Sequence, residues 1–369
     1  MSQLICTQCG AELRPEEVCH VGEEIVCRSC AETDTVICSY CGERIWNEQD
    51  AGSSEMSLCE SCCDSHYTRC VRCGELIALS SACYQADDDE ESSPYCEECF
   101  REFGEAIHCY SYKPVPAFHG DGPMYMGVEL EVDEGGKDSG NARKILSVLN
   151  QNAEYGYIKS DGSLDDGLEL VTHPCTPEVH LQEVPWKEVL EKIRALGYFS
   201  HQCSTCGLHV HVNRSFFGSS FEQQEERIGH VLYLFERFWQ ELLRFSRRTQ
   251  RQVEQWAARY GYKDTGREIL EHAKKSHQGR YTCVNLTNSN TIEFRIFRGT
   301  LKYNTLIATL QFVEKLCSVA ISLSEGQLQS LSWSDLMLGI SEKQYPELVQ
   351  YLKERRLYVN EAVNVEGEV

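Results

Sequence analysis

No lysine precedes Lys113 in this 369-residue chain. Basic residues are scarce throughout, 35 Lys and Arg against 57 Asp and Glu. The imbalance is steepest at the start, where residues 1–110 hold 23 acidic residues against six arginines, so −17 of the net charge of −22 falls there. Binding to a polyanion depends on clustered Lys and Arg that displace its counterions, so the sequence argues against DNA or RNA as a partner. Long apolar runs are also lacking. The opening "MSQLICTQCG" has neither a basic n-region nor an apolar core, so no signal peptide is expected. The most apolar stretch, "TLIATLQFVEKLCSVAISL", is broken by Gln311, Glu314 and Lys315. That spacing predicts an amphipathic core helix, not a membrane span. Together these absences predict a cytoplasmic protein with no membrane partner. The phosphate-binding G-x-x-x-x-G-K-[ST] loop, H-E-x-x-H and G-x-S-x-G are missing too, which removes the commonest nucleotide-hydrolase, zinc-protease and serine-hydrolase readings.

Cysteine, in contrast, is abundant and unevenly placed. Of 21 cysteines, 15 precede residue 100. "CTQCGAEL" begins at Cys6, "CSYCGERI" at Cys38 and "CVRCGELI" at Cys70, a period of 32 residues, which marks an internal repeat. Each pair is answered by a second: Cys27 with Cys30, Cys59 with Cys62, and Cys96 with Cys99. A C-x-x-C turn aims two thiolates at one point, and two such turns complete a closed tetrahedral zinc site. The reading is therefore three zinc modules, at about 6–30, 38–63 and 70–105, with Cys6, Cys9, Cys27 and Cys30 in the first, Cys38, Cys41, Cys59 and Cys62 in the second, and Cys70, Cys73, Cys96 and Cys99 in the third. A disulfide framework is the alternative, and it requires an exporting signal. Modules this short bury too little to fold unaided, so metal binding and folding should be one event. Two knuckles, the second at a helix start, resemble the treble-clef and zinc-ribbon families. Cys19, Cys63 and Cys83 either substitute as ligands or are spare thiols. The run "ADDDEESS" explains the longer gap of the third module as a solvated acidic loop. Protein contact or substrate presentation is the expected task of this region.

The rest of the chain alternates strands and helices. "MGVELEVDEG", "DGLELVTHP", "CGLHVHVN" and "NTIEFRIFRGTL" each alternate apolar residues with a polar set, the pattern of a strand buried on one face. The polar set consists of Glu129 and Glu131, Glu169, His209 and His211, then Glu293, Arg295 and Arg298. Exposed strand faces ordinarily carry Thr, Lys, Ser and Gln. Several carboxylates facing one cleft repel one another unless a cation neutralises them, and an oxygen-rich cluster with imidazole suits Mg or Mn better than Zn. Arginines beside such ions suit a phosphate or a carboxylate, which they grip at two points. Helical spacing predicts one long helix from Phe221 to about Arg247 and another from about Asn304 to Leu323. The fold class expected is α+β, a mainly antiparallel sheet with helices on one face.

The ordered set G-V-E-L-E, D-G-S-L, G-L-E-L, C-G-L-H-V-H-V and I-E-F-R-x-F-R-G-T-L, from about Met126 to Leu301, resembles the amidoligases of bacteria and phages, within the glutamine-synthetase-like carboxylate–amine ligases. The resemblance implies a glutamine-synthetase-like sheet and ATP-dependent amide formation. It implies that Glu129, Glu131, Glu169, His209 and Glu293 are ligands of Mg or Mn, that His211 lies nearer the nucleotide, and that Arg295 binds phosphate or carboxylate. Asp161 and Arg298 fit the family pattern as catalytic candidates. One further metal carboxylate of the family has no clear match, and Asp165 or Asp166 is the expected stand-in. The implied cofactors are ATP, Mg or Mn, and about three Zn. The implied partners are an amine and a carboxylate substrate, with a peptide or protein as one form of acceptor. The expected layout is zinc modules over 1–110, a linker over 111–122, an amidoligase-like catalytic domain over 123–335, and a C-terminal helical segment and tail over 336–369. Two other classes stay open, a non-catalytic zinc-scaffold adaptor and a metal-dependent amide hydrolase, and ATP consumption separates all three.

Overall fold

The computed structural model describes residues 4–84, 94–103, 106–276 and 279–359. The acidic run at 86–93 and the tail from 360 lie outside them. The chain divides into two units, Met1–Glu105 and Ala106–Val369.

The first unit is a run of small hairpins and seven-residue helices. Leu4–Ile5 pairs with Glu12–Leu13 and Val18–Val21 with Glu24–Cys27, and the helix Arg28–Asp34 follows. Thr35–Ile37 pairs with Arg44–Trp46 ahead of the helix Glu60–His66, and Tyr67–Arg69 with Leu76–Ala78 ahead of Glu97–Phe103. The second cysteine pair of the first two repeats sits at a helix start. Cys27 and Cys59 are the N-caps, their sulfurs accepting from the backbone N–H of Cys30 and Cys62, so a thiolate there satisfies a helix-end donor. The apolar clusters are tiny and contain cysteine throughout: Cys6 with Val21, Val26 and Ala31 in the first, Cys38 and Cys62 with Leu58 in the second, and Cys70, Cys96 and Cys99 in the third.

The second unit is built on one six-stranded sheet, antiparallel at every pairing and flanked by helices. We number its strands β1 (Met126–Val132), β2 (Gly156–Lys159), β3 (Leu168–Thr172), β4 (Gly207–Asn213), β5 (Val284–Asn285) and β6 (Thr291–Arg298). Their order across the sheet is β2-β3-β1-β4-β6-β5. The four strands expected from alternation are present, and β2 and β5 extend the sheet at its two edges. Val128, Leu130, Val132, Leu170, Leu208, Val210, Ile292 and Phe294 point into a single core. The helices that cover it are α1 (Ser139–Leu149), α2 (Pro177–Gln182), α3 (Trp186–Ala195), α4 (Phe221–Arg237), α5 (Trp239–Ser246), α6 (Gln250–Trp256), α7 (Gly266–Lys275), α8 (Tyr303–Ser322), α9 (Glu325–Ser330), α10 (Trp333–Leu338) and α11 (Pro346–Glu354). Phe235 of α4 meets Phe294 of β6 at 5.6 Å, and Phe245 of α5 stacks on Phe312 of α8 at 4.2 Å.

Three expectations change on contact with the structure. The long helix from Phe221 is two helices, broken at Phe238, and α5 ends at Arg247 in the left-handed region with φ 64°. The stretch expected as a linker, 111–122, is fastened to the sheet unit: His119 pairs with Cys175, and Tyr112 stacks at 3.7 Å on His108, which itself pairs with Lys159. The segment after 335 shares the core, with Leu348, Val349, Leu352 and Leu357 buried in it. Gln311, the polar break in the apolar α8, explains that docking. It is buried, donates to Glu347 Oε2 at 2.7 Å and accepts from the Leu348 N–H at 2.9 Å. Among the described residues α8 alone is long and apolar enough to cross a membrane, and 67% of its apolar window is buried in the core.

Candidate functional site

Cross-strand pairing assembles the polar face. Lys159 of β2 lies opposite Glu169 of β3, which lies opposite Glu131 of β1. Glu129 of β1 lies opposite His209 of β4, and His211 of β4 opposite Glu293 of β6, which faces Asn285 of β5. All six strands thus contribute to one row, because the period of two sends every second side chain the same way. A register shift between Leu208 and Val210 alters the pairing towards the end of β6. Leu208 pairs with Phe297 where uninterrupted alternation from Val210 and Phe294 would place Ile296. The extra residue returns Phe297 to the core and leaves Arg298 opposite Gly207, as a bulge does.

The row lines a cavity of about 540 Å³ that holds Glu129, Glu131, Asp161, Glu169, His209, His211, Glu293 and Arg295. Ligand atoms of Glu129, Glu169 and His209 lie within 4.8 Å of one another, and so do those of Glu129, His211 and Glu293. Glu129 belongs to both groups. Its Oε2 is 3.2 Å from His209 Nδ1 and its Oε1 3.1 Å from His211 Nε2. Glu131 is 3.8 Å from His209 Nε2 and accepts from the Gly207 N–H. Arg295 Nη1 donates to Glu293 Oε1, and Asn285 Nδ2 donates to Glu293 Oε2 at 2.7 Å. Gly207 is required by this crowding. A Cβ there would lie 2.6 Å from His209 Nε2, 2.9 Å from Arg248 Nη2 and 3.2 Å from Glu131 Oε2.

Burial sets the electrostatics and the neighbours decide its outcome. Burial pushes the Glu129 carboxyl up, but His211 and His209 outweigh it and hold the group well below the usual carboxylate range. Burial and the charge of Glu129 push Glu169 well above that range, with Lys159 opposing at 3.0 Å. Burial pulls His211 down, and Glu129 with Glu293 raises it past its ordinary value. Glu169 Oε2 and His211 Nε2 are buried without an aligned hydrogen-bond partner. Four carboxylates and two imidazoles form a donor set that fits divalent cations with oxygen-dominated coordination.

The remaining candidates divide. Asp161 lines the cavity, yet its Oδ1 already accepts the N–H and hydroxyl of Ser163, both at 2.6 Å. Arg298 does not line it. Asp165 and Asp166 do not either: both are exposed, and their backbone N–H groups donate to buried Asp133. Sequence reasoning missed Lys159, Asn285 and Arg248, all of which line the cavity. Lys159 and Asn285 sit on strands of four and two residues, too short to show a period. Arg248 follows the end of α5, where a cation reads as an ordinary helix-terminus charge.

Each cysteine tetrad also converges, with ligand atoms within 4.8 Å of one another. Cys9 and Cys27 are 3.8 Å apart, Cys41 and Cys59 3.9 Å, and Cys73 and Cys96 3.8 Å. The Cys27 N–H donates to Cys6 Sγ at 3.2 Å. Against burial, backbone N–H groups of this kind hold the first thiol of each module, Cys6, Cys38 and Cys70, down at about 6. Four converging thiols with N–H donors are compatible with small zinc modules. Cys19, Cys63 and Cys83 stand outside the tetrads, and Cys63 donates instead to Ala51 O at 3.4 Å.

Residues 145–317 match the family model described as "Putative amidoligase enzyme". The match supports an amide-bond-forming ligase. It spans part of α1 to most of α8 and takes in Glu169, His209, His211, Glu293, Arg295 and Arg298, while Glu129 and Glu131 precede it. A bifunctional glutathione synthetase from Pasteurella multocida is similar to 63% of this chain at 16% identity and a TM-score of 0.35. The likeness covers 46% of that enzyme's chain, and at that score it carries no mechanistic weight. No curated protein matches the chain.

Proposed function

We propose that the second unit is an ATP-dependent carboxylate–amine ligase with a glutamine-synthetase-like site, and that the first unit is a zinc array serving protein or substrate contact. One observation carries the reading: Glu129 belongs to two carboxylate–imidazole groups on a single sheet face, an arrangement suited to two neighbouring cations around a polyphosphate. Glu129, Glu131, Glu169, His209 and Glu293 would hold Mg or Mn, and His211 would face the nucleotide. Bound cations would supply charge neutralisation and polarise phosphate oxygens.

The chain's own residues do the rest. The γ-phosphoryl group of ATP passes to a substrate carboxylate oxygen, giving an acyl phosphate and ADP. The amine nitrogen attacks the acyl carbon, the C–O bond to phosphate breaks, and phosphate leaves as the amine loses a proton. Arg295, anchored by Glu293, presents a planar guanidinium to charge that builds on the transferring group. Lys159 at the β2 edge and Arg248 beside Glu131 and His209 bring positive charge to the carboxylate row, where acidic substrates must otherwise approach like charge. The family match over 145–317 supports the reaction class.

Hydroxylamine tests the reading. With ATP, Mg or Mn and a panel of carboxylates (free amino acids, polyglutamate, peptide C-termini), the protein should trap a hydroxamate while ADP and phosphate appear in equal amounts. Glu129→Ala or His209→Ala should abolish both products with the fold retained. Amide cleavage in that panel without nucleotide would replace the ligase by a hydrolase.

A further inference from the structure

Behind the carboxylate cavity is a second one, of about 370 Å³, whose charged wall is almost entirely arginine. Arg244, Arg247, Arg248 and Arg355 line it against a single carboxylate, Glu241. Arg248 lines both cavities. It is 6% exposed, and its Nη2 lies beside His209 and Glu131 over Gly207. Arg298 stands close by, near enough with Arg247 to pull the His201 imidazole below its ordinary value in addition to the effect of burial.

Helix ends explain part of this gathering. Arg247 caps α5 and Arg355 caps α11, and cations at such ends meet unpaired carbonyls. Arg355 donates twice to Arg244 O, at 3.2 and 2.9 Å, Arg247 Nη2 donates to Arg298 O, and Arg248 Nη2 to Phe297 O at 3.3 Å. Those bonds leave Arg247 Nε, Arg248 Nε and Nη1, and Arg298 Nε buried without a partner. Glu131 lies on the side of Arg248 that faces the carboxylate row, while Arg244, Arg247 and Arg355 share the second cavity with Arg248. Arg247 also holds φ 64° without being glycine, a conformation that persists only where its surroundings impose it. Stability gains nothing from unsatisfied buried guanidinium donors, so the arrangement is built for an anion that arrives from outside.

The geometry points to an anion-binding pocket among Arg244, Arg247, Arg248 and Arg355, suited to a carboxylate or a phosphate and sharing Arg248 with the carboxylate cavity. The pocket does not depend on the ligase reading.

The test is calorimetric titration of the full chain, without nucleotide, using inorganic phosphate in one arm and glutarate in the other. Both probes should bind, the tighter one naming the group, and Arg244→Glu and Arg355→Ala should each weaken the tighter probe by about tenfold or more. Arg244 is exposed, so its charge reversal leaves the fold intact, and the melting curve of each variant is recorded beside its titration. Mg·ATP binding should be unchanged in both. Failure of both probes to bind the wild type, or wild-type affinity for the tighter probe in both variants, overturns the pocket. Arginine-dependent anion binding with no Mg·ATP binding keeps the pocket and removes the ligase. Mg·ATP binding with hydroxamate formation but arginine-independent anion binding does the reverse.

Discussion

Glu129 and Gly207 show at residue scale how little slack the site has. Glu129 contacts both histidines, so each imidazole position is defined against the same carboxylate. Gly207 has no positive φ to justify it; its role is to leave room for His209, Arg248 and Glu131 above it. Gly207→Ala should therefore separate stability from function. The three neighbours are side-chain ends that can shift, so the fold should survive with a small change in melting temperature. The shift falls on the atoms that meet phosphate and metal, where a displacement of about 1 Å lowers the rate by about 100-fold. Mn binding followed by electron paramagnetic resonance and ATP turnover followed by ADP release should both fall. Retained Mn affinity and turnover would mean that the three side chains can part without consequence.

Elements were legible in proportion to the length of their period. β1, β3, β4 and β6 show alternation over five to eight residues, and their polar positions are the site row. β2 and β5 have no room to show one, and with them Lys159 and Asn285 escaped notice. The break at Phe238 was invisible because Phe235, Leu242 and Phe245 keep helical spacing across it. That break and the left-handed turn at Arg247 bring Arg248 to the cavity. Cysteine spacing was legible without any period of structure, since four thiols on two turns allow few other arrangements. The link between α2 and β1 was hidden too, and it makes a pH-dependent prediction. His180 is fully buried on α2, its Nε2 3.0 Å from Met126 O, and burial pulls it down to about 4. Above its ordinary value of about 6.5 both states are neutral and the contribution is fully present. As pH falls from there towards 4 the unfolded chain gains a proton that the folded one refuses, so stability is lost across that window. The loss approaches about 3 kcal/mol at the lower limit. His180→Leu leaves Met126 O bonded to the Cys175 N–H and should remove this slope. Denaturant unfolding of both proteins at pH 7 and pH 4.5 checks it: parallel losses would place the titration elsewhere.

At the scale of the whole molecule, charge and core divide along the same boundary. The second unit buries one continuous core across its sheet and helices, while the first has clusters of only a few residues each, in which the cysteines are major members. Deprotonated tetrads without a cation would add repulsion to a region already at −17, so the stability of the first unit should depend on metal and that of the second should not. Isolated zinc sites contribute about 10–16 kcal/mol of apparent binding energy at neutral pH, more than such small cores can supply. The purified chain should then carry about three zinc ions, by elemental analysis. Cys27→Ser with Cys30→Ser should lose one of them and unfold one module. A strong chelator should release all three and abolish amide protection in the first unit, while the second keeps its protection and its melting transition. Hydrogen exchange read peptide by peptide distinguishes the outcomes. Protection that survives chelation in residues 6–84 would mean that these modules fold without metal, and loss of protection in α8 would mean that the two cores are not independent.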